Sequence, residues 1–268
     1  MEPKVIPTPN CLVCDGPTAS FGLAKVLHRH LVAYFRCQSC GFIFTEPPHW
    51  LDEAYSSAIA QIDIGPVARC MTFSQSVRSL VIGSLDTNGQ FLDFGGGYGL
   101  FVRRMRDLGL NFKLHDAHCE NIFAKGHEVD IEGPLKFELL TAFEVVEHLT
   151  HPLQTFETFK RLSPNILFST SIVPEPAPSI ENWWYYAPEY GQHISFYTLR
   201  SLQIIAARLG LKLYSYGDLH YMTAKRMSPA MFAIMTANRS APVVGYLLSR
   251  LRRVRSLLPS DFQKLSGK

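Results

Sequence analysis

The chain has 268 residues, 47% hydrophobic and 18% charged, which suits one large domain with an appendage and excludes wholesale disorder. Its formal net charge of +3 is too weak to argue by itself for nucleic acid or an anionic membrane as partner. No apolar run approaches the roughly 20 residues of a membrane helix, and the opening "MEPKVIPTPN" lacks the apolar core of a signal peptide, so a cytoplasmic protein is expected.

Residues 1–48 are rich in Cys, Pro and aromatic side chains and carry two C-x2-C pairs, Cys11-Leu-Val-Cys14 and Cys37-Gln-Ser-Cys40. In a reducing compartment this pattern means metal more readily than disulfide. Four thiolates in two knuckles suit a tetrahedral Zn²⁺, and a closed four-thiolate site leaves no open position, so this zinc is structural. Free thiols or a redox pair are the alternative. The stretch "VLHRHLVAYFRC" supplies strands of a ribbon hairpin, which leaves His28 and His30 on the surface. Cys70 and Cys119 read as plain, partly buried residues.

The Pro47-Pro48 step closes this module. Residues 49–89 place Leu51, Ala54, Tyr55, Ala58, Ile59, Val77, Leu80 and Val81 at helical spacing, and predict a linker of two helices broken near residues 63–66. From 90 to 227 strands and helices alternate. Strands are expected in 90–94, 111–116, 137–145 and 165–173. Helices are expected over 100–109, ended by Gly109, over 117–126, over 151–163 and over 195–210, the last capped by Thr198. Two final strands fall in 211–227. The alternation predicts a parallel three-layer α/β sheet, and the last strand pair, with no helix between, an antiparallel edge.

Residues 174–192 interrupt this rhythm with a long loop holding Trp183, Trp184, Tyr185 and Tyr186. Such rings suit sugar faces, flat rings or bases in a substrate; a lid packed on its own domain is the alternative. Residues 228–268 form a tail. Its Val243, Val244, Leu247, Leu248, Leu251, Val254 and Leu258 follow helical spacing beside Arg250, Arg252, Arg253 and Arg255. Docking on the domain, docking on a second subunit as a homodimer, and peripheral membrane contact are all open. No internal repeat is present.

Two motifs carry chemistry. In "DFGGGYG" (93–99), Gly95, Gly97 and Gly99 let the backbone turn tightly and approach a ligand. The spacing is G-x-G-x-G, with Leu100 where a dinucleotide loop needs its third glycine, and no P-loop Lys-Ser/Thr follows. In "AFEVVEHL" (142–149), Glu144, Glu147 and His148 stand at i, i+3 and i+4, one face of a helical turn, at the strand end where open α/β sheets bind ligands. Two carboxylates and an imidazole without sulfur suit Mg²⁺, Mn²⁺, Fe²⁺ or Zn²⁺; a metal-free active-site role is the alternative.

The Asp93-x-Gly95-x-Gly97-x-Gly99 loop at the end of a first strand resembles motif I of the class I S-adenosylmethionine (SAM) methyltransferases, over roughly residues 70–225. The resemblance implies that the loop backs the methionine part of SAM. It also implies that the acid ending the second strand, here Asp116 in "KLHD", binds the ribose hydroxyls; a carboxylate can accept from both. Glu128 and Asp130 lie where the family reads adenine, with no choice between them. Tyr55, Asp63 and Arg69 fall in the segment that covers the cofactor in related enzymes. The E-x-x-E-H motif resembles the ubiquinone-pathway O-methyltransferases and the small-RNA 3′-terminal 2′-O-methyltransferases, in which these residues bind a divalent ion beside the substrate hydroxyls. The RNA enzymes add a later histidine, whose place is taken here by His193; His151 competes with it. The four-cysteine module is similar to those preceding the SAM domain in deoxysugar and polysaccharide methyltransferases.

The expected protein is therefore a SAM-dependent methyltransferase with four parts: a zinc module (1–48), a helical linker (49–89), a Rossmann-like methyltransferase domain (90–227) and a basic amphipathic tail (228–268). The expected acceptor is a hydroxyl of a small molecule, a sugar or glycan precursor, with Glu144, Glu147, His148 and His193 at the site and Mg²⁺ or Mn²⁺ as the candidate ion. C-methylation of a nucleotide-linked deoxysugar, ribose methylation of RNA and a non-catalytic binding protein remain as alternatives. The weak charge and the lack of a basic strip count against RNA.

Overall fold

The computed structural model describes residues 8–55 and 64–267, so Ala58, Ile59 and Asp63 of the expected linker lie outside the described residues. A hairpin of β1 (Thr18–Val26) and β2 (His30–Cys37) begins the first sheet, and β3 (Ile43–Thr45) extends it antiparallel. The fourth strand, β8 (Ser195–Phe196), comes from beyond the aromatic loop and pairs Phe196 with Ile43. The first compact unit therefore gathers Met1–Ser57, Glu144–Glu157 and Thr170–Gly210, cutting across the expected boundary at 48. The physical reason is core size, since so short a segment has too little apolar surface to close a core alone. Tyr185, Tyr186, Ile194 and Phe196 supply it, packing with Val32, Tyr34, Ile43 and Trp50. Trp50, in the turn before the short helix α1 (Leu51–Ala54), donates its Nε1–H to the Gly191 carbonyl at 2.8 Å.

The second unit takes in Ala58–Phe143, Thr158–Ser169 and Leu211–Lys268. Along the chain come α2 (Pro66–Ser84), β4 (Phe91–Phe94), α3 (Leu100–Asp107), β5 (Phe112–His115), β6 (Leu139–Ala142), then α4 (Pro152–Leu162) and β7 (Asn165–Ser169). After α5 (Leu199–Arg208), whose Thr198 accepts from Ser201 in the expected N-cap, come β9 (Lys212–Tyr216) and β10 (Leu219–Thr223). The strand order is β5-β4-β6-β7-β10-β9, parallel from β5 to β7, with β10 antiparallel to both neighbours. This is the expected Rossmann-like sheet with an antiparallel edge. Val77, Leu80 and Val81 of α2 meet Phe91, Val102, Met105, Phe112 and Leu139 in its core.

The helix expected over 117–126 does not form. Side chains capture the backbone there: Asp116 Oδ1 accepts from the His118 and Cys119 N–H groups at 2.8 Å each, and Asn121 Oδ1 accepts from Ala124 N–H at 2.9 Å. Asp and Asn side chains compete with helical hydrogen bonds in this way.

The tail is part of the second unit. It folds as α6 (Pro229–Thr236), α7 (Ala241–Leu251) and α8 (Leu258–Ser266). Phe232 stacks on Tyr221 at 6.0 Å, Ser76 Oγ donates to the Thr236 carbonyl at 2.8 Å, and Arg78 Nε donates to Ser249 Oγ at 2.8 Å. Among the described residues no helix is long and apolar enough to cross a membrane.

Candidate active site and metal centres

In the first unit the four cysteines converge. Cys11 and Cys40 Sγ are 3.7 Å apart, Cys14 and Cys37 Sγ 3.4 Å apart, and all four lie within 4.8 Å of one another. A tetrahedron with Zn–S bonds of about 2.3 Å has edges of about 3.8 Å, so the cluster fits that ion. The two knuckles repeat one geometry. In each, an N–H returns to the first cysteine's carbonyl, from Asp15 to Cys11 at 2.9 Å and from Gly41 to Cys37 at 3.0 Å, and each closing residue has positive φ. Val13 N–H points at Cys11 Sγ, and the Ser39 and Cys40 N–H groups point at Cys37 Sγ, over 3.3–3.4 Å. Such contacts stabilise thiolate charge.

In the second unit the glycine loop leaves β4 at Asp93. This carboxylate is buried, and Thr141 on the neighbouring β6 donates to its Oδ1 at 2.6 Å. Burial pushes the Asp93 carboxyl up to about 7, with Thr141 opposing the shift and the Asp116 charge adding to it. Gly95, Gly97 and Gly99 all take positive φ. At Gly97 nothing lies within 4 Å of where a Cβ would stand, so the backbone there borders open space. Asp116 holds the loop, its Oδ2 accepting from Gly97 N–H at 2.8 Å. Its Oδ1 takes two backbone donors and its Oδ2 one, so Oδ2 is the less committed oxygen toward a ribose hydroxyl. Beside Asp116 opens a cleft of about 370 Å³, lined also by Cys119, Asn121, Lys125 and Glu128. Glu128, one of the two acids left open for adenine, lines this cleft, and Asp130 does not. The loop and the acid fit the binding of SAM.

The E-x-x-E-H stretch, which follows β6 in the chain, belongs to the first unit. Only Val146–His148 is helical, as a single 3₁₀ turn, and Glu144 stands before it with φ 54°. Residues at i, i+3 and i+4 share a face only in an α-helical turn, and Glu144, outside the turn, is exposed and not part of the cluster. Glu147, His148 and His193 do come together, each offering a ligand atom within 4.8 Å of the others. Glu147 is buried and its Oε1 accepts from the Tyr185 hydroxyl at 2.7 Å. His148 Nδ1 donates to the Gln192 carbonyl at 3.0 Å and His193 Nδ1 to the Tyr185 carbonyl at 2.7 Å. A carbonyl only accepts, so each Nδ1 carries a proton and Nε2 is the nitrogen left to serve as ligand or base. Burial, then the neighbouring His193, pushes the His148 imidazole down to about 3, which keeps it neutral. Two imidazoles oriented by backbone carbonyls, with a carboxylate, form a donor set of the two-His-one-carboxylate kind.

The aromatic loop divides by role. Tyr186 is fully buried among Phe21, Tyr34, Trp183 and Phe196, which leaves its ring no face for a substrate. Tyr185 is buried too, and its hydroxyl serves Glu147 and lies 3.1 Å from Thr170 Oγ1. Trp183 packs against the same core, and Trp184 is 76% exposed. Tyr55 lies beside His148, with ring centroids 6.2 Å apart. Gly96, Thr141, Tyr185 as a carboxylate partner and Cys119 as a cleft residue were not anticipated. Thr141 is the register partner of Asp93 across β4 and β6, and register is not written in a single sequence.

A family model described as a methyltransferase domain matches residues 72–216. No curated protein matches the chain. Among solved structures the chain is similar to a methyltransferase in calicheamicin biosynthesis in its SAH-bound form, with 16% identity over 65% of this chain and 60% of that one and a TM-score of 0.44. It is similar to an O-methyltransferase family 2 protein from Planctomyces limnophilus in complex with apigenin, with 14% identity, coverage of 60% and 62%, and a TM-score of 0.39. It is also similar to human N-acetylserotonin methyltransferase in complex with SAM, with 14% identity, coverage of 66% and 66%, and a TM-score of 0.37. The chain spans less than two thirds of the length of each of these proteins.

Proposed function

Because the chain belongs to the methyltransferase-domain family, we propose that it transfers the methyl group of SAM to a hydroxyl oxygen of a small acceptor, a sugar or glycan precursor, with a divalent ion at Glu147, His148 and His193. SAM supplies an electrophilic methyl on a sulfonium, which no side chain can provide. Asp93, Gly95, Gly97, Gly99 and Asp116 would hold it, the loop presenting backbone and Asp116 its carboxylate. A divalent ion would act as Lewis acid toward the acceptor hydroxyl. With Nδ1 of each imidazole tied to a carbonyl, Nε2 would be the nitrogen offered to an ion or a proton, and Tyr185 orients Glu147. The exposed Trp184 ring offers a flat face of the kind that stacks on a sugar.

The observation that carries the metal-assisted reading is the convergence of Glu147, His148 and His193 with both Nδ1 atoms tied to carbonyls. The same geometry supports a second reading, an imidazole acting as general base with no ion. We assign Cys11, Cys14, Cys37 and Cys40 to a separate structural zinc.

One preparation tests all of this. Elemental analysis of reduced protein is expected to find about one zinc per chain that resists mild EDTA. Methyl transfer in an acceptor screen, followed by product mass and S-adenosylhomocysteine release, is expected to stop in EDTA and return with Mn²⁺ or Mg²⁺ but not zinc alone. His193→Ala and Glu147→Gln are expected to lower kcat/KM by roughly 10²–10⁴-fold. Full activity in EDTA would leave the imidazoles as bases and remove the ion. Full activity in both variants would remove the site.

A further inference from the structure

Helix α7 is amphipathic in the reverse of the usual sense. Its inward face is Ala241, Gly245 and Ser249, where Gly245 packs so close to α2 that a Cβ would stand 3.3 Å from Ser79 N and where Ser249 takes the Arg78 hydrogen bond. Its large apolar residues point outward: Val243, Tyr246, Leu247 and Leu251, at i, i+3, i+4 and i+8, are 55–78% exposed. A helix that only completed its own domain would bury that stripe. Helix α8 adds Leu258, Phe262 and Leu265 at i, i+4 and i+7, each more than half exposed.

The charge around this stripe has one sign. Between 228 and 268 the sequence has five arginines and two lysines against one acid, Asp261, in a chain whose net charge is only +3. Asp261 is buried and held by Arg106 at 2.6 and 2.8 Å, so it does not offset the exposed arginines. The arginines are also held in place. Beyond α7 the chain returns to α3, with Leu257 N–H on the Arg106 carbonyl at 3.0 Å, and the Arg255 carbonyl so close to Gly109 that a Cβ there would stand 2.4 Å away. Arg250, Arg252, Arg253 and Arg255 stay exposed at the end of the apolar stripe.

We propose that α7 is a membrane-contact face that lies flat on an anionic lipid surface, its apolar stripe in the headgroup boundary and the four arginines on lipid phosphates and carboxylates. The combination of an outward apolar stripe, a cationic flank and no spanning helix among the described residues is that of an interfacial helix, seated about 5–10 Å deep. A second copy of the chain is the poorer occupant. The exposed charge of residues 228–267 is all basic, so the same face on a second copy supplies no acid to pair those arginines, whereas an anionic lipid surface does. The proposal goes beyond the methyl-transfer reading and does not depend on it.

Co-sedimentation of the full chain with vesicles tests it. The chain is expected to bind vesicles of phosphatidylcholine with phosphatidylserine, and to bind phosphatidylcholine alone far more weakly. Raised salt should weaken binding. Leu247→Glu should lower the partition coefficient at least about tenfold, and Arg252→Gln and Arg253→Gln about fivefold each. All three side chains are exposed, so unchanged melting temperatures show that the variants fold. Absence of binding to the anionic vesicles overturns the proposal, as does undiminished binding by Leu247→Glu. A dimer in light scattering that Leu247→Glu dissolves, with no vesicle binding, gives the face to a second copy instead.

Discussion

At the scale of single residues, the glycine loop separates two kinds of constraint. Gly95, Gly97 and Gly99 were legible because glycines at that spacing let the backbone turn tightly, and their φ values are 67°, 56° and 83°. Gly96 looked incidental, yet a Cβ there would stand 2.3 Å from Asp93 Oδ2 and 2.5 Å from Leu114 Cδ1. The constraint is steric, set by a buried carboxylate and by a strand that is remote in the sequence, and no local pattern announces it. Gly96→Ala is expected to destabilise the protein by about 1–3 kcal/mol and to weaken S-adenosylhomocysteine binding, because relief of the clash must move the loop or Asp93. Urea melts and calorimetry check this, and a variant with native stability and affinity would show that the loop is not packed as described. Tyr185 teaches the same lesson from the other side. Its aromatic run suggested a substrate platform, whereas its hydroxyl serves Glu147, 38 positions away in the chain.

At the scale of elements, periodicity was a good guide wherever a segment had one face to bury. It placed α2, α3, α4 and the six strands of the large sheet. It failed over 117–126, where Asp116 and Asn121 bind backbone N–H groups, and at Glu144–His148, where a positive φ at Glu144 breaks the assumed turn. Helix α8 shows what a pattern of apolar positions leaves out, because its inward anchor is a charge. Asp261 takes two hydrogen bonds from Arg106 and an ion pair with Arg103 at 3.0 Å, and His127 Nε2 lies 3.5 Å away. Burial, then the Arg106 charge, pushes the His127 imidazole down to about 4. In the unfolded chain it would titrate near 6.5. The unfolded state therefore binds the extra proton first, so this contribution to stability is full above about pH 6.5 and is lost as pH falls toward about 4, on the order of 2 kcal/mol. Although burial opposes it, the Arg106 pair holds the Asp261 carboxyl below its ordinary value, so its own contribution is lost only at lower pH. Urea melts of the protein and of His127→Gln at pH 7.5 and 5 are expected to differ in slope with pH, the variant losing less on acidification. Equal losses would mean that His127 is not held neutral.

At the scale of the whole molecule, the α/β alternation and the family motif made the large sheet and its glycine loop readable, since both are local in sequence. The division into units was not readable. The Cys module recruits β8 and the aromatic loop from more than a hundred residues away, a consequence of core size that no boundary signal encodes. The Glu147, His148 and His193 centre arises from that recruitment, because the segment carrying Tyr185, Gln192 and His193 is what orients its carboxylate and imidazoles. Everything proposed for that centre presupposes that the chain binds SAM. Titration of S-adenosylhomocysteine into the full chain, followed by calorimetry, tests this most directly. Saturable binding at a single site, weakened at least about tenfold by Asp116→Ala, is the result predicted. The absence of binding heat, together with an unchanged melting temperature at saturating S-adenosylhomocysteine, would contradict it.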